Sequence, residues 1–288
     1  NGPMFTRVHH VAIVVRSLEQ ALRVYRDVLG LPVGKRATVA DQGVHAALLP
    51  MGDGEIELLE PADPAGGVAR FVERKGEGLH HLCFETPDVA AALARAKAAG
   101  LPLIDQSPRP GLAGMIAFLH PRASHGVLVE LAQPVSPPAH PDPPSNGVRA
   151  VGICTVYLAV KELAAAVTTY ARNFQGEVAP PEEDPRFGAM QTGVSVGSSR
   201  LTLLSPGDPV SPVGCFLADR GEGLFGVCLR VADFGEALRH LDESGIPTEV
   251  HGRHAARALA RLDPSQVNGV NLFLCSGASN GLPQPPSG

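Results

Sequence analysis

The stretch VHHVAIVV, residues 8–15, sets two histidines at the head of a run of apolar strand-formers, and LHHLCFET, residues 79–86, does the same. Short runs rich in aliphatic and β-branched residues, bounded by polar positions, read as strands. Two such strands with one His-His opening, 71 residues apart from His10 to His81, imply a repeated unit that needs an imidazole at one place.

The repetition extends outward from those strands. VAIVVRSLEQALRVYRDVLG (11–30) aligns with VYLAVKELAAAVTTYARNFQ (156–175), EIELLEP (55–61) with RLTLLSP (200–206), and GEGLHHLCF (76–84) with GEGLFGVCL (221–229). All three pairs share the offset of 145 that separates Val11 from Val156. Inside the first half, EIELLEP also matches LVELAQP (128–134), with Glu57 over Glu130 at an offset of 73. The chain therefore reads as four copies of one unit. In that unit a strand is followed by an amphipathic helix, with Leu18, Ala21, Leu22, Tyr25, Val28 and Leu29 at helical spacing and Gly30 as the stop. The strands VHAALLP and EIELLEP follow, joined by a GDG turn. In the second copy a helix over 89–99 follows Pro87-Asp88 and ends at Gly100. The order is βαβββ, an α+β class. The proline-rich segment PVSPPAHPDPPSNG (134–147) reads as an extended linker. It divides the chain into residues 4–133 and 148–277.

Composition narrows the function classes. Apolar residues at 44% and charged residues at 18% suit a soluble globular protein. A net charge of −5 without a basic stripe argues against nucleic acid as a partner. No apolar run has the length of a membrane span, and no signal peptide opens the chain, so a cytoplasmic location is expected. Residues 1–3 read as a vector remnant. The five cysteines show no C-x-x-C spacing and are expected to be reduced, buried thiols.

Four βαβββ units paired two and two resemble the vicinal oxygen chelate superfamily, which includes glyoxalase I, methylmalonyl-CoA epimerase, extradiol dioxygenases and bleomycin-resistance proteins. The resemblance implies that paired units curl their strands into a cleft around one divalent metal ion. Carried onto this chain, it implies His10, Glu57, His81 and Glu130 as the metal ligands. Any one of these alone reads as an ordinary core or surface residue; together they occupy matched places in two repeats. Glu57 and Glu130 also sit between apolar neighbours, a poor place for a carboxylate without a partner. Two imidazoles and two carboxylates suit Co, Ni, Mn, Fe(II) or Zn and leave an open position. Strand alternation is expected to turn His9 and His80 away. In the second half, His10 becomes Thr155, Glu57 becomes Thr202, His81 becomes Gly226 and Glu130 becomes Phe273. A metal-free second half is therefore expected, serving as a built-in dimerisation partner or a small-ligand module.

Residues 118–131, FLHPRASHGVLVEL, resemble the C-terminal signature of methylmalonyl-CoA epimerases through Phe118, His120, Pro121, Arg122, Gly126, Val127, Leu128, Glu130 and Leu131. The resemblance implies proton abstraction α to a thioester carbonyl, with Glu130 as a ligand that doubles as acid/base and an acyl-CoA as substrate. Arg122 and Ser124 are expected to contact that substrate. The second acid/base group of some family members falls at Ala46, and alternation turns the adjacent His45 outward. A glyoxalase-type lyase or a dioxygenase is the alternative enzyme reading. A sequestering binding protein is the alternative outside enzymes, weakened by the lack of Trp and by only three Tyr. A homodimer is a further expectation.

Overall fold

The computed structural model describes residues 3–136, 146–252 and 258–276. Most of the expected linker, residues 137–145, lies outside the described residues, as does residue 277.

The first copy of the unit folds as β1 (Arg7–Val14), α1 (Leu18–Leu22), β2 (Lys35–Val39), β3 (Val44–Met51) and β4 (Gly54–Pro61). Ser17 caps α1 through its hydroxyl, which accepts from the Gln20 amide. The helix expected over one continuous stretch instead widens into a π-type turn at Arg23–Val28, where the Leu29 amide reaches back to the Val24 carbonyl. Gly30 then ends it at φ 77°. A short helix that the repeat reading left out, α2 (Gly67–Lys75), leads to the second copy. That copy comprises β5 (Gly78–Glu85), α3 (Val89–Ala98), β6 (Arg109–Gly111), β7 (Gly114–Leu119) and β8 (Leu128–Gln133).

The two copies form one eight-stranded sheet in the order β2-β3-β4-β1-β5-β8-β7-β6. The first strand of each copy runs parallel to its last, and the copies meet through the antiparallel pair β1–β5. One face of the sheet, with Val11, Ile13, Leu58, Leu82 and Phe84, packs on helices. The other curls on itself: Lys35 Nζ, on edge strand β2, donates to the Leu112 carbonyl beside the opposite edge at 2.7 Å.

The second half repeats the plan. Its elements are β9 (Ala150–Ala159), α4 (Leu163–Asn173), β10 (Glu177–Val178), β11 (Glu182–Asp184), β12 (Ala189–Val196), β13 (Ser199–Pro206), α5 (Pro212–Arg220) and β14 (Gly223–Val231). They are followed by α6 (Phe234–Glu243), β15 (Thr248–His251), β16 (Leu259–Leu262) and β17 (Leu272–Ser276). The resulting sheet runs β10-β12-β13-β9-β14-β17-β16-β15, with β11 paired to β12.

The halves pack as a pseudo-dimer. Tyr25 Oη donates to the Val267 carbonyl and Tyr170 Oη to the Ser124 carbonyl, each at 3.1 Å. Lys75 Nζ reaches the Arg220 carbonyl while the Arg220 guanidinium reaches the Lys75 carbonyl, again both at 3.1 Å. Each of these bonds has its repeat-related counterpart in the other direction. Two glycine turns let the backbones meet. A Cβ on Gly52 would lie 1.9 Å from the Val151 carbonyl oxygen, and one on Gly197 would lie 2.1 Å from that of Thr6.

Candidate metal centre

Four strands deliver the four expected residues to one point on the curled face. His10 comes from β1, Glu57 from β4, His81 from β5 and Glu130 from β8. Pairing explains why they share a face: Ala12 lies opposite both Glu57 and His81, and Cys83 lies opposite both His10 and Glu130. The Nε2 atoms of His10 and His81 are 3.2 Å apart. The Glu57 carboxylate is 3.3 Å from His10 Nε2 and 3.4 Å from His81 Nε2. The Glu130 carboxylate is 3.0 Å from His81 Nε2 and 4.0 Å from His10 Nε2. All four side chains are buried.

Two buried carboxylates require compensating positive charge. Burial disfavours charge on His81, yet its hydrogen bonds with Glu130 and Glu57 outweigh this and raise its pKa to about 9. Burial likewise opposes ionisation of Glu57, but the facing His10 and His81 hold its carboxyl well below the usual range. The cluster is built around a positive charge at its centre, and its donor set of two imidazole nitrogens and two carboxylates fits a divalent ion.

His9 and His80 do not turn away. His9 Nδ1 meets His10 Nδ1 at 2.9 Å, and His80 Nδ1 meets His81 Nδ1 at 2.9 Å. Each is the extra residue of a β-bulge. Val8 and His10 face the consecutive residues Phe84 and Cys83, and Ala12 and Ile13 face His81 and Leu79. A bulge breaks the alternation, so both members of each His-His pair gather around one centre, with His9, His10 and His81 buried and His80 half-buried. Burial and the neighbouring imidazole push His9 down to about 2 and His80 down to about 3. Through these Nδ1 contacts the outer rings orient His10 and His81 so that their Nε2 atoms face the centre, where an ion would be held.

The other expected positions divide. Ala46 is fully buried on the apolar inner face, and His45 is exposed and paired with Thr38 Oγ1 at 2.8 Å. Arg122 is exposed. Ser124 is not open to a substrate: it is fully buried, its hydroxyl donates to the Val127 carbonyl at 2.6 Å, and its own carbonyl receives Tyr170 from the second half. The turn carrying it serves the interface between halves. Two cations that the sequence reading missed lie on the inner face at opposite sheet edges. Lys35 is in the row of Leu48 and Glu57, and Arg109 is in the row of Ile116 and Ala132. Arg109 also stands 5.6 Å over the Phe118 ring, which in turn meets the His81 ring edge-on at 5.3 Å.

Comparison with known proteins places this arrangement. A profile of the Glyoxalase/Bleomycin resistance protein/Dioxygenase superfamily matches residues 9–119. An ethylmalonyl-CoA/methylmalonyl-CoA epimerase of Cereibacter sphaeroides is 39% identical over 133 residues, which are 45% of this chain and 99% of that protein. The chain belongs to the glyoxalase/bleomycin resistance/dioxygenase superfamily. An uncharacterised Bacillus subtilis protein is 40% identical over 129 residues, 44% of this chain and 92% of its own. The solved structure of a 4-hydroxymandelate synthase mutant from Streptomyces coelicolor matches 98% of this chain and 95% of its own at 18% identity and a TM-score of 0.72, which extends the shared fold to both halves.

In this superfamily member the second half keeps the bulges and replaces the donors. Cys154 and Phe225 are the extra residues at the places of His9 and His80. Phe273 lies opposite Cys228 as Glu130 lies opposite Cys83. The Thr155 and Thr202 hydroxyls bond each other at 2.8 Å where His10 and Glu57 stand in the first half. Phe273 is buried, and a Cβ on Gly226 would come within 2.8 Å of its ring. Tyr157, in the place of Ala12, packs on Phe273 with centroids 5.4 Å apart. The sequence reading also missed a convergence of Cys154, Cys228 and Cys275, whose sulfurs lie within 4.8 Å of one another. Among the described residues no helix is long and apolar enough to cross a membrane.

Proposed function

We propose that the first half is a divalent-metal-dependent isomerase that removes a proton α to a thioester carbonyl, in the manner of the methylmalonyl-CoA epimerases. The observation that supports this most strongly is the buried convergence of His10, Glu57, His81 and Glu130 in the half that is 39% identical to such an epimerase. A divalent ion held by these four would place positive charge where the carbonyl oxygen gains negative charge as the proton leaves.

The chain's own residues carry the remaining work. Glu130 accepts the α-proton, and it is held against the sheet by its place opposite Phe118 and Cys83. His9 and His80 orient the two ligand histidines. The apolar face around Ala12, Ala46, Leu48 and Leu59 keeps water from the carbanionic carbon. Lys35 and Arg109 offer cationic groups to an anionic acyl chain. Epimerisation also returns a proton on the opposite face. With a methyl at Ala46, that transfer falls to Glu57, the other carboxylate of the cluster.

The test is solvent exchange. Metal-loaded protein is incubated with methylmalonyl-CoA in D₂O, and the α-proton signal is followed by NMR beside a chelator-treated sample. Exchange that needs the metal supports the reading. No exchange above a protein-free control, in protein shown to hold metal, rules it out and moves the search to glyoxalase-type and dioxygenase substrates.

A further inference from the structure

We propose that the second half binds Cu(I) in a three-thiolate site formed by Cys154, Cys228 and Cys275. This departs from the expectation of a metal-free second half and shares no residue with the centre described above, so either assignment stands or falls without the other.

Three neighbouring strands supply the thiols. Cys154 is on β9, Cys228 on β14 and Cys275 on β17. Cys228 lies opposite Phe273, so Cys275, two residues further along its strand, shares that face. Cys154 joins them through the bulge, because it is the extra residue between Ile153 and Thr155. The three sulfurs all lie within 4.8 Å of one another, and all three cysteines are free of disulfides. Sulfurs bound at ~2.3 Å to one ion stand about 4 Å apart, so rotamer-scale adjustment closes the site. Cys228 is buried, while Cys154 and Cys275 are half-buried and leave a way in.

The donor chemistry selects the ion. Thiolates favour soft cations. Among the described residues no His, Asp or Glu joins the three sulfurs, whereas structural zinc sites complete four ligands. Three thiolates around Cu(I) carry a net charge of −2, and two guanidiniums, Arg230 and Arg200, act on Cys154 electrostatically. Aromatic packing from Tyr157, Phe225 and Phe273 belongs to the same apolar cluster as Cys228, with Cys154 and Cys275 against it, and shelters the sulfurs from bulk water. Binding takes up one cation and releases up to three thiol protons, with no electron transferred.

The experiment is an anaerobic titration of the reduced, full-length protein with Cu(I) supplied as its bicinchoninate complex, followed by X-ray absorption at the copper edge. One equivalent should leave the chelator and show a shell of three sulfurs. Cys154→Ser and Cys275→Ser, at half-buried positions and checked for native melting, should each weaken uptake at least roughly tenfold. A His10→Ala variant should take up Cu(I) like the parent. No transfer from the chelator, transfer unchanged in both cysteine variants, a nitrogen-dominated shell, or displacement by equimolar Zn(II) would each overturn the proposal.

Discussion

The two halves of this chain share a backbone plan and differ in what fills it. Each has a sheet of paired βαβββ units, bulges at the same places, and a tyrosine that crosses to the other half. Where the first half gathers two histidines and two glutamates, the second holds a hydroxyl pair, a glycine and a phenylalanine. The four donors are absent as a set. Phe273 takes the space that a side chain on Gly226 would need, and Tyr157 adds a ring where Ala12 leaves room. Polar sites and packed cores are thus alternative fillings of one cleft, and mixtures are disfavoured because a lone buried carboxylate or imidazole loses its partner.

The largest effect expected from breaking this contrast is in the first half. Glu130→Gln keeps the shape but removes the proton acceptor, so metal-dependent α-proton exchange should fall by about 10²–10⁴-fold. Comparable exchange rates in the parent and this variant would take Glu130 out of its role. Next comes the packing of the second half. Phe273→Ala should cost about 3–5 kcal/mol in denaturant-induced unfolding, while first-half exchange per folded molecule stays at the parental level. A smaller effect probes the exchange of fillings directly. Gly226→His should destabilise strongly alone and far less beside Phe273→Ala, with a coupling of about 1–3 kcal/mol in a double-mutant cycle. Additive costs would mean that the two positions do not share one space.

The smallest effect concerns what the halves have in common. Burial, helped by Glu77 near Tyr25 and Glu222 near Tyr170, pushes both phenols above their ordinary value. A raised folded value means that this stability is present below the unfolded phenol pKa of about 10 and is lost as pH rises above it. The urea midpoint should therefore fall above pH ~10, and should fall less in a Tyr25→Phe/Tyr170→Phe variant. At neutral pH each Tyr→Phe change should cost about 1 kcal/mol. Unequal costs at the two sites would break the reciprocity of the interface.

Much of this was legible in the residues themselves. Matched offsets exposed the repeats, and the family resemblance implied Glu57 and Glu130 as inward-facing, in keeping with their matched places and with apolar flanks that suit a carboxylate only if it has a partner. The loss of all four donors from the second half was readable for the same reason. The bulges were not readable, since they are set by the register between β1 and β5 rather than by either strand alone; alternation therefore misdirected His9 and His80. Ser124 misled because its turn is shaped for Tyr170, a residue of the other half. The three cysteines are far apart in sequence and meet only through the order of the sheet. Lys35 likewise reaches the Leu112 carbonyl only because the sheet curls until its edges approach.

The central claim is that one cleft of the pair holds a divalent ion and its counterpart, at the equivalent point, does not. A crystal of the Co(II)-loaded protein, measured at the cobalt absorption edge, tests it most directly. The account predicts an anomalous peak among His10 Nε2, His81 Nε2 and the carboxylates of Glu57 and Glu130, and none among Thr155, Thr202, Gly226 and Phe273. An empty first cleft, or a peak at that point of the second, would contradict it.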